Sequence, residues 1–216
     1  MINGIRVKVC GLTSPADAEM AARAGVDFLG FNLYTKSPRY VTLQQFRAMA
    51  GRLPDRKKVA VTVEPTLTEL REIAASGFDI VQVHFDAGAF PADTAAWVAE
   101  AGAHRLWLAP RLPPASDMPA EVISMGDTFL FDAFARDKFG GSGKTADWAK
   151  FRRQRDVEPG KTWILAGGLN PDNISDAINA SGADFVDVNS GVETAPGIKD
   201  QAKIAAFVAR LAQHRG

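Results

Sequence analysis

A single cysteine, Cys10, closes the apolar run Val7-Lys8-Val9 and leads into Gly11-Leu12-Thr13, and an aspartate, Asp132, closes another such run, Phe129-Leu130-Phe131. A thiol that loses its proton is a base or a nucleophile, and a carboxyl group in apolar surroundings is an acid with a proton to give. Each residue also has a plainer reading. A lone cysteine after a strand is often a small buried apolar group, and a strand-terminal aspartate often caps the amides that follow it. Set across one opening, the two make a more specific proposal, an acid and a base acting on one ligand.

Two further pairs, Gly167-Gly168 and Ser190-Gly191, follow predicted strands and offer backbone N–H groups without bulky side chains, as a phosphate requires. Arg39, in Ser37-Pro38-Arg39-Tyr40, carries a planar fork suited to a carboxylate, although most loop arginines meet only solvent. The run Gly140-Gly141-Ser142-Gly143-Lys144-Thr145 imitates a nucleotide-binding P-loop, but Lys138 stands where the first glycine of that motif belongs. Nucleoside triphosphate binding is therefore rejected. Gly141 and its neighbours read either as a flexible loop or as a flap that brings backbone to a ligand beside Asp132. His84 reads as a hydrogen-bonded wall residue, Asp187 as structural, and Trp97, Trp107, Trp148 and Trp163 as core.

The elements that must hold these residues are legible in the pattern. Short β-branched and aromatic runs recur, each followed by an Ala-rich stretch of helical spacing, which is the signature of βα units and a parallel sheet. Strands are predicted at residues 6–9, 28–32, 59–63, 80–84, 105–109, 129–132, 163–166 and 185–188. Helix starts are marked at Thr13-Ser14-Pro15, Thr66, Thr145 and Asn170-Pro171-Asp172. Ala24-Gly25, Ser76-Gly77, Ala101-Gly102 and Ser181-Gly182 repeat one joint, in which glycine ends a helix in the left-handed conformation and the sheet resumes. Eight evenly spaced units fit a single closed (β/α)8 barrel of the TIM type over residues 1–216 better than an open sheet. The prolines between Pro110 and Pro119 predict a short fifth helix.

Composition narrows the function classes. In 216 residues, 25 Lys+Arg balance 25 Asp+Glu, so nothing marks a nucleic-acid or acidic-membrane partner. At 46% hydrophobic and 23% charged, the chain is neither disordered nor fibrous. One cysteine suits a reducing compartment, the three histidines lack zinc-site spacing, and no run of about 18 apolar residues occurs. The expectation is a mature cytoplasmic protein with no secretion signal and no membrane span, and a monomer by preference.

Taken in order, Val7-Lys8-Val9-Cys10-Gly11-Leu12-Thr13, Gly30-Phe31 with Ser37-Pro38-Arg39-Tyr40, Asp132 with Gly140 to Lys144 and Asp147-Trp148, Leu165 to Leu169, and Asp187 to Glu193 with Pro196-Gly197-Ile198-Lys199-Asp200 resemble phosphoribosylanthranilate isomerase. The resemblance runs from the first strand to the last helix. It implies Cys10 as general base, Asp132 as general acid, Arg39 on the anthranilate carboxylate, and Gly141, Gly167, Gly168, Ser190 and Gly191 along the phosphoribosyl ligand, with no metal or organic cofactor. The implied reaction is the Amadori rearrangement of an aminoaldose phosphate to a ketose in tryptophan biosynthesis. Its demands are opposite ones: Cys10 needs its pKa lowered, with Lys8 or a helix N-terminus the expected cause, and Asp132 needs an apolar wall, with Phe131 and Phe134 the expected lining.

The chain departs from the family pattern at Val63-Glu64-Pro65, at Gln82-Val83-His84-Phe85-Asp86 and at Asn189-Ser190. These changes are expected on the anthranilate side of the pocket. A related phosphosugar isomerase or epimerase, or a phosphate-ligand sensor without turnover, remain open alternatives.

Overall fold

The computed structural model describes residues 1–87, 93–113, 116–132 and 145–214. Eight strands, β1 (Arg6–Val9), β2 (Phe28–Asn32), β3 (Lys57–Val63), β4 (Ile80–Asp86), β5 (Leu106–Arg111), β6 (Thr128–Phe131), β7 (Thr162–Leu165) and β8 (Phe185–Val188), pair in parallel and in sequence order. Pairing of β8 back onto β1 closes the barrel. Helices α1 (Pro15–Arg23), α2 (Leu43–Ala50), α3 (Leu67–Ala74), α4 (Asp93–Ala101), α5 (Ala120–Met125), α6 (Trp148–Val157), α7 (Ile174–Ser181) and α8 (Gln201–Gln213) return the chain between strands.

All eight predicted strands form, and β1, β2 and β8 have the predicted bounds. The glycine joints are also as expected: Gly25, Gly77, Gly102 and Gly182 have φ of +91°, +91°, +81° and +63°. Ser14 and Thr66 cap α1 and α3 through their side chains, and α5 is short. Two helix starts differ. Asp147, not Thr145, accepts the Lys150 amide and caps α6. Asn170 holds the amides of Asp172 and Asn173 in a turn, which delays α7 to Ile174. In both places an Asx side chain captures the free amides, Asp147 downstream of Thr145 and Asn170 in a turn ahead of the helix. A hairpin of β9 (Glu193–Ala195) and β10 (Ile198–Lys199) also lies between β8 and α8, too short to show in the strand periodicity.

Side-chain alternation divides the apolar residues into two concentric cores. Outward residues such as Val7, Leu29, Val83, Phe129 and Val186 pack under the helices, while Val59, Val61, Trp107, Leu130, Ile164 and Phe185 fill the lumen. Phe28 stacks on Phe185 at 5.0 Å, and Trp107 meets both rings edge-on at 5.1 and 5.4 Å, so aromatic rings fill part of the lumen. The lumen is a packed wall beneath the site, not a channel. Trp97, Trp107 and Trp163 are buried as predicted, whereas Trp148, at the first turn of α6, is only partly so.

Candidate active site

The site is the rim where the strands hand over to their loops. Cys10 follows β1, its amide bonded to the Val188 carbonyl at 2.9 Å, and its side chain belongs to the lumen cluster. Asp132 follows β6 two residues after lumen-facing Leu130 and is half-buried. Strand alternation therefore aims both toward the same opening. Between β6 and β1 in the ring stand β7 and β8, whose loops carry Gly167-Gly168 and Ser190-Gly191.

Close packing fixes the Cys10 thiol. A methyl group on Gly30 would come within 3.0 Å of the Cys10 Cα and 3.1 Å of its sulfur, so only glycine leaves room for the thiol. Gly11 combines φ of +72° with neighbours that a Cβ would meet at 2.5 Å, on the Arg39 Cδ, and 2.6 Å, on the Asn189 Oδ1. Beneath the thiol, Lys8 Nζ donates to Asp187 Oδ2 at 2.7 Å in full burial. Burial would strip the Lys8 charge, but Asp187, joined by Cys10 when the thiol is ionised, outweighs it and raises the Lys8 pKa.

The expected lowering of the Cys10 pKa is not what the surroundings produce. Burial pushes the thiol above its ordinary value, Lys8 pulls it down by less, and Asp187 adds to the rise. Cys10 therefore rests as the neutral thiol. Desolvation costs an anion more than one nearby cation returns when that cation is shared with a carboxylate. His84 is held neutral, its pKa lowered to about 3 by burial and by Lys8, and its Nε2 lies 2.8 Å from the Gln82 amide nitrogen. It is the wall residue the sequence suggested.

Arg39 reaches the rim from the loop after β2 and is buried rather than solvent-facing. Its Nε contacts both oxygens of Glu193 at 2.9 and 3.1 Å, and its Nη2 donates to Oε2 at 2.6 Å. Lys199 Nζ donates to the same carboxylate at 2.8 Å and to Asn189 Oδ1 at 3.0 Å. Although burial opposes it, Arg39 and Lys199 hold the Glu193 carboxyl below its usual range. Among the described residues, the hydrogen-bond partners of the guanidinium lie on its Nε–Nη2 edge. Sequence reasoning gave Glu193, Lys199 and Lys8–Asp187 no such pairing. Opposite charges flanking the Pro196-Gly197 turn were the available signal for the first two.

The glycine loops interlock. Gly167 and Gly168 have φ of +89° and +65°, and the Gly168 carbonyl accepts from Asn173 Nδ2 at 2.9 Å. A Cβ on Gly191 would strike the Leu169 carbonyl at 2.0 Å, so the loop after β8 packs directly on the loop after β7. Gly141 and Phe134 lie outside the described residues. Phe131 does not wall Asp132: being odd in register with Leu130, it points outward to Phe151, 6.0 Å away, under α6. Phe85 likewise faces outward onto Trp97 at 5.8 Å, so this departure leaves the pocket wall untouched. Glu64, at φ +41°, turns to accept the Asp86 amide at 3.0 Å.

A (β/α)8 barrel with a thiol and a carboxyl group on one rim, and glycine-built loops between them, is the frame of a sugar-phosphate isomerase. The chain belongs to the N-(5'-phosphoribosyl)anthranilate isomerase family, whose model matches residues 7–210. It is 38% identical over 210 residues to N-(5'-phosphoribosyl)anthranilate isomerase of Neisseria meningitidis, covering 95% of each chain. The crystal structure of the Thermus thermophilus phosphoribosyl anthranilate isomerase is similar at a TM-score of 0.81 and 28% identity, over 98% of this chain and 100% of that one. A phosphoribosyl anthranilate isomerase in complex with reduced 1-(o-carboxyphenylamino)-1-deoxyribulose 5-phosphate is similar at a TM-score of 0.75 and 28% identity, over 96% and 98%. Among the described residues, no helix is long and apolar enough to cross a membrane.

Proposed function

We propose that the chain works by general acid–base catalysis with Cys10 as base and Asp132 as acid, in the reaction of its family. That reaction is an aldose–ketose isomerisation of tryptophan biosynthesis, converting N-(5'-phosphoribosyl)anthranilate to 1-(2-carboxyphenylamino)-1-deoxyribulose 5-phosphate. The observation that carries the reading is the order around the rim: a carboxyl group after β6, glycine loops after β7 and β8, a thiol after β1. A phosphate held by the loops after β7 and β8 leaves the ribose between the other two groups. Asp132 protonates the furanose oxygen as the ring opens to a Schiff base. Cys10, in its thiolate form, then removes the C2' proton, and the resulting enolamine tautomerises to the ketone. Arg39, steadied by Glu193, meets the anthranilate carboxylate.

The test is loss of substrate fluorescence on incubating purified protein with phosphoribosylanthranilate. Cys10→Ala and Asp132→Asn are each expected to lower kcat by about a thousandfold or more while retaining product-analogue binding, since proton transfer is lost and the phosphate loops are not touched. Full activity in either variant removes that residue from the role. Binding without turnover in the wild type marks a ligand sensor. The chain acts in the cytoplasm and as a monomer in this reading, and sedimentation at micromolar concentration checks the second point.

A further inference from the structure

Lys8 brings an ammonium up against the apolar lumen cluster, and its side chain is fully buried. An amine there without a partner would shed its proton. Its partner, Asp187, stands opposite it in the β1–β8 register and contacts it through one oxygen, while the other, Oδ1, is buried with no hydrogen-bond partner among the described residues. A pair kept only for stability gains little from this arrangement, because a buried carboxylate with half its accepting capacity unspent costs more than a well-packed apolar pair. The pair sits directly under Cys10: the same point above Gly30 lies 2.9 Å from Lys8 Cε and 3.1 Å from the Cys10 sulfur.

Charged groups approach the thiol from each side. Lys8 comes from its own strand, Asp187 from β8, Lys199 from β10 and Arg39 from the loop after β2, while neutral His84 on β4 faces Lys8. Asp187 thus bears on Cys10 in two opposed ways. As a like charge it disfavours the thiolate, and as the anchor of Lys8 it sustains the cation that favours it. We propose that Asp187 is a positioning residue of the reaction, acting through Lys8: it fixes the ammonium beneath Cys10 and keeps it charged, so that the thiolate formed on the rim faces a permanent cation. The inference rests on Cys10 being the base, but its test does not.

Because Cys10 is the chain's only cysteine, its alkylation by iodoacetamide reports one thiol. The rate is measured against pH in the wild type, Lys8→Met, Asp187→Asn and the double variant, with kcat/KM profiles alongside. Each single variant should raise the alkylation midpoint by about one pH unit, a tenfold slower reaction at a given pH below it. In the Lys8→Met background, Asp187→Asn should instead leave the midpoint in place or lower it, since only like-charge repulsion remains to be removed. That reversal of sign is something a merely structural carboxylate does not produce. A lowered midpoint in Asp187→Asn with Lys8 present, or no shift at all, overturns the proposal. If Lys8→Met does not fold, the Asp187→Asn comparison with wild type decides alone. An alkylation shift that leaves the acid limb of kcat/KM unmoved supports the charge arrangement and removes Cys10 as base.

Discussion

At Cys10 and Arg39 the structure places functional groups inside other interactions rather than in open solvent. The Cys10 thiol is held high by burial, so the thiolate fraction at neutral pH is small and grows with pH. For a base whose pKa is raised, kcat/KM should climb from pH 7 toward pH 9, and a rate constant across that range would mean that another group takes the proton. For Arg39 the linear pattern carried the loop but not the partners. Its fork is already engaged by Glu193, which is fixed in turn by Lys199. Arg39→Ala should raise KM by roughly 30- to 100-fold, the value of a charge-assisted hydrogen bond, with a smaller effect on kcat. Glu193→Gln should do the same more weakly by loosening the fork, and steady-state kinetics on both variants distinguishes a carboxylate binder from a purely structural ion pair, which would change stability and leave KM alone.

At the scale of the element, the glycines separate into two physical kinds. Gly77 ends the helix before β4 with φ of +91° and open space around it, so Gly77→Ala meets only backbone strain. It should cost about 1 kcal/mol by urea denaturation and leave turnover as it was. Gly30 has no such conformational demand but lies against the backbone of Cys10. Gly30→Ala must push the thiol or the strand aside, so activity should fall at least tenfold, beyond what any stability change explains. Repetition at a fixed phase made the first kind readable from sequence. The second depends on two adjacent strands touching at one register, and nothing local to Gly30 signals it. At the start of α6, Thr145 and Asp147 are both good caps by residue type, and the Lys150 amide pairs with Asp147.

For the whole molecule, one coupling between fold and proton runs through His84. Its pKa of about 3 in the folded state lies well below the ordinary histidine value, so the unfolded chain binds the proton and the folded chain does not. The stability this represents is complete above about pH 6.5 and is lost progressively as pH falls toward 3. Between pH 7 and pH 4 the wild type should lose about 5–10 °C of Tm beyond the loss shown by His84→Gln, measured by calorimetry; equal losses would show that His84 is already protonated in the folded barrel. The strand count, the parallel order, the joint glycines and the places of Cys10, Asp132, Arg39 and the glycine loops after β7 and β8 were all present in the linear pattern, because periodicity, turn chemistry and motif spacing are local properties. What the tertiary structure alone decided is which charges meet: Lys8 with Asp187 across closing strands, Arg39 and Lys199 on one Glu193, Phe131 and Phe85 turned to the outer core. Those outcomes depend on burial and on contacts between residues far apart in the chain. Closing the sheet brings such residues together and removes the water that would otherwise screen them.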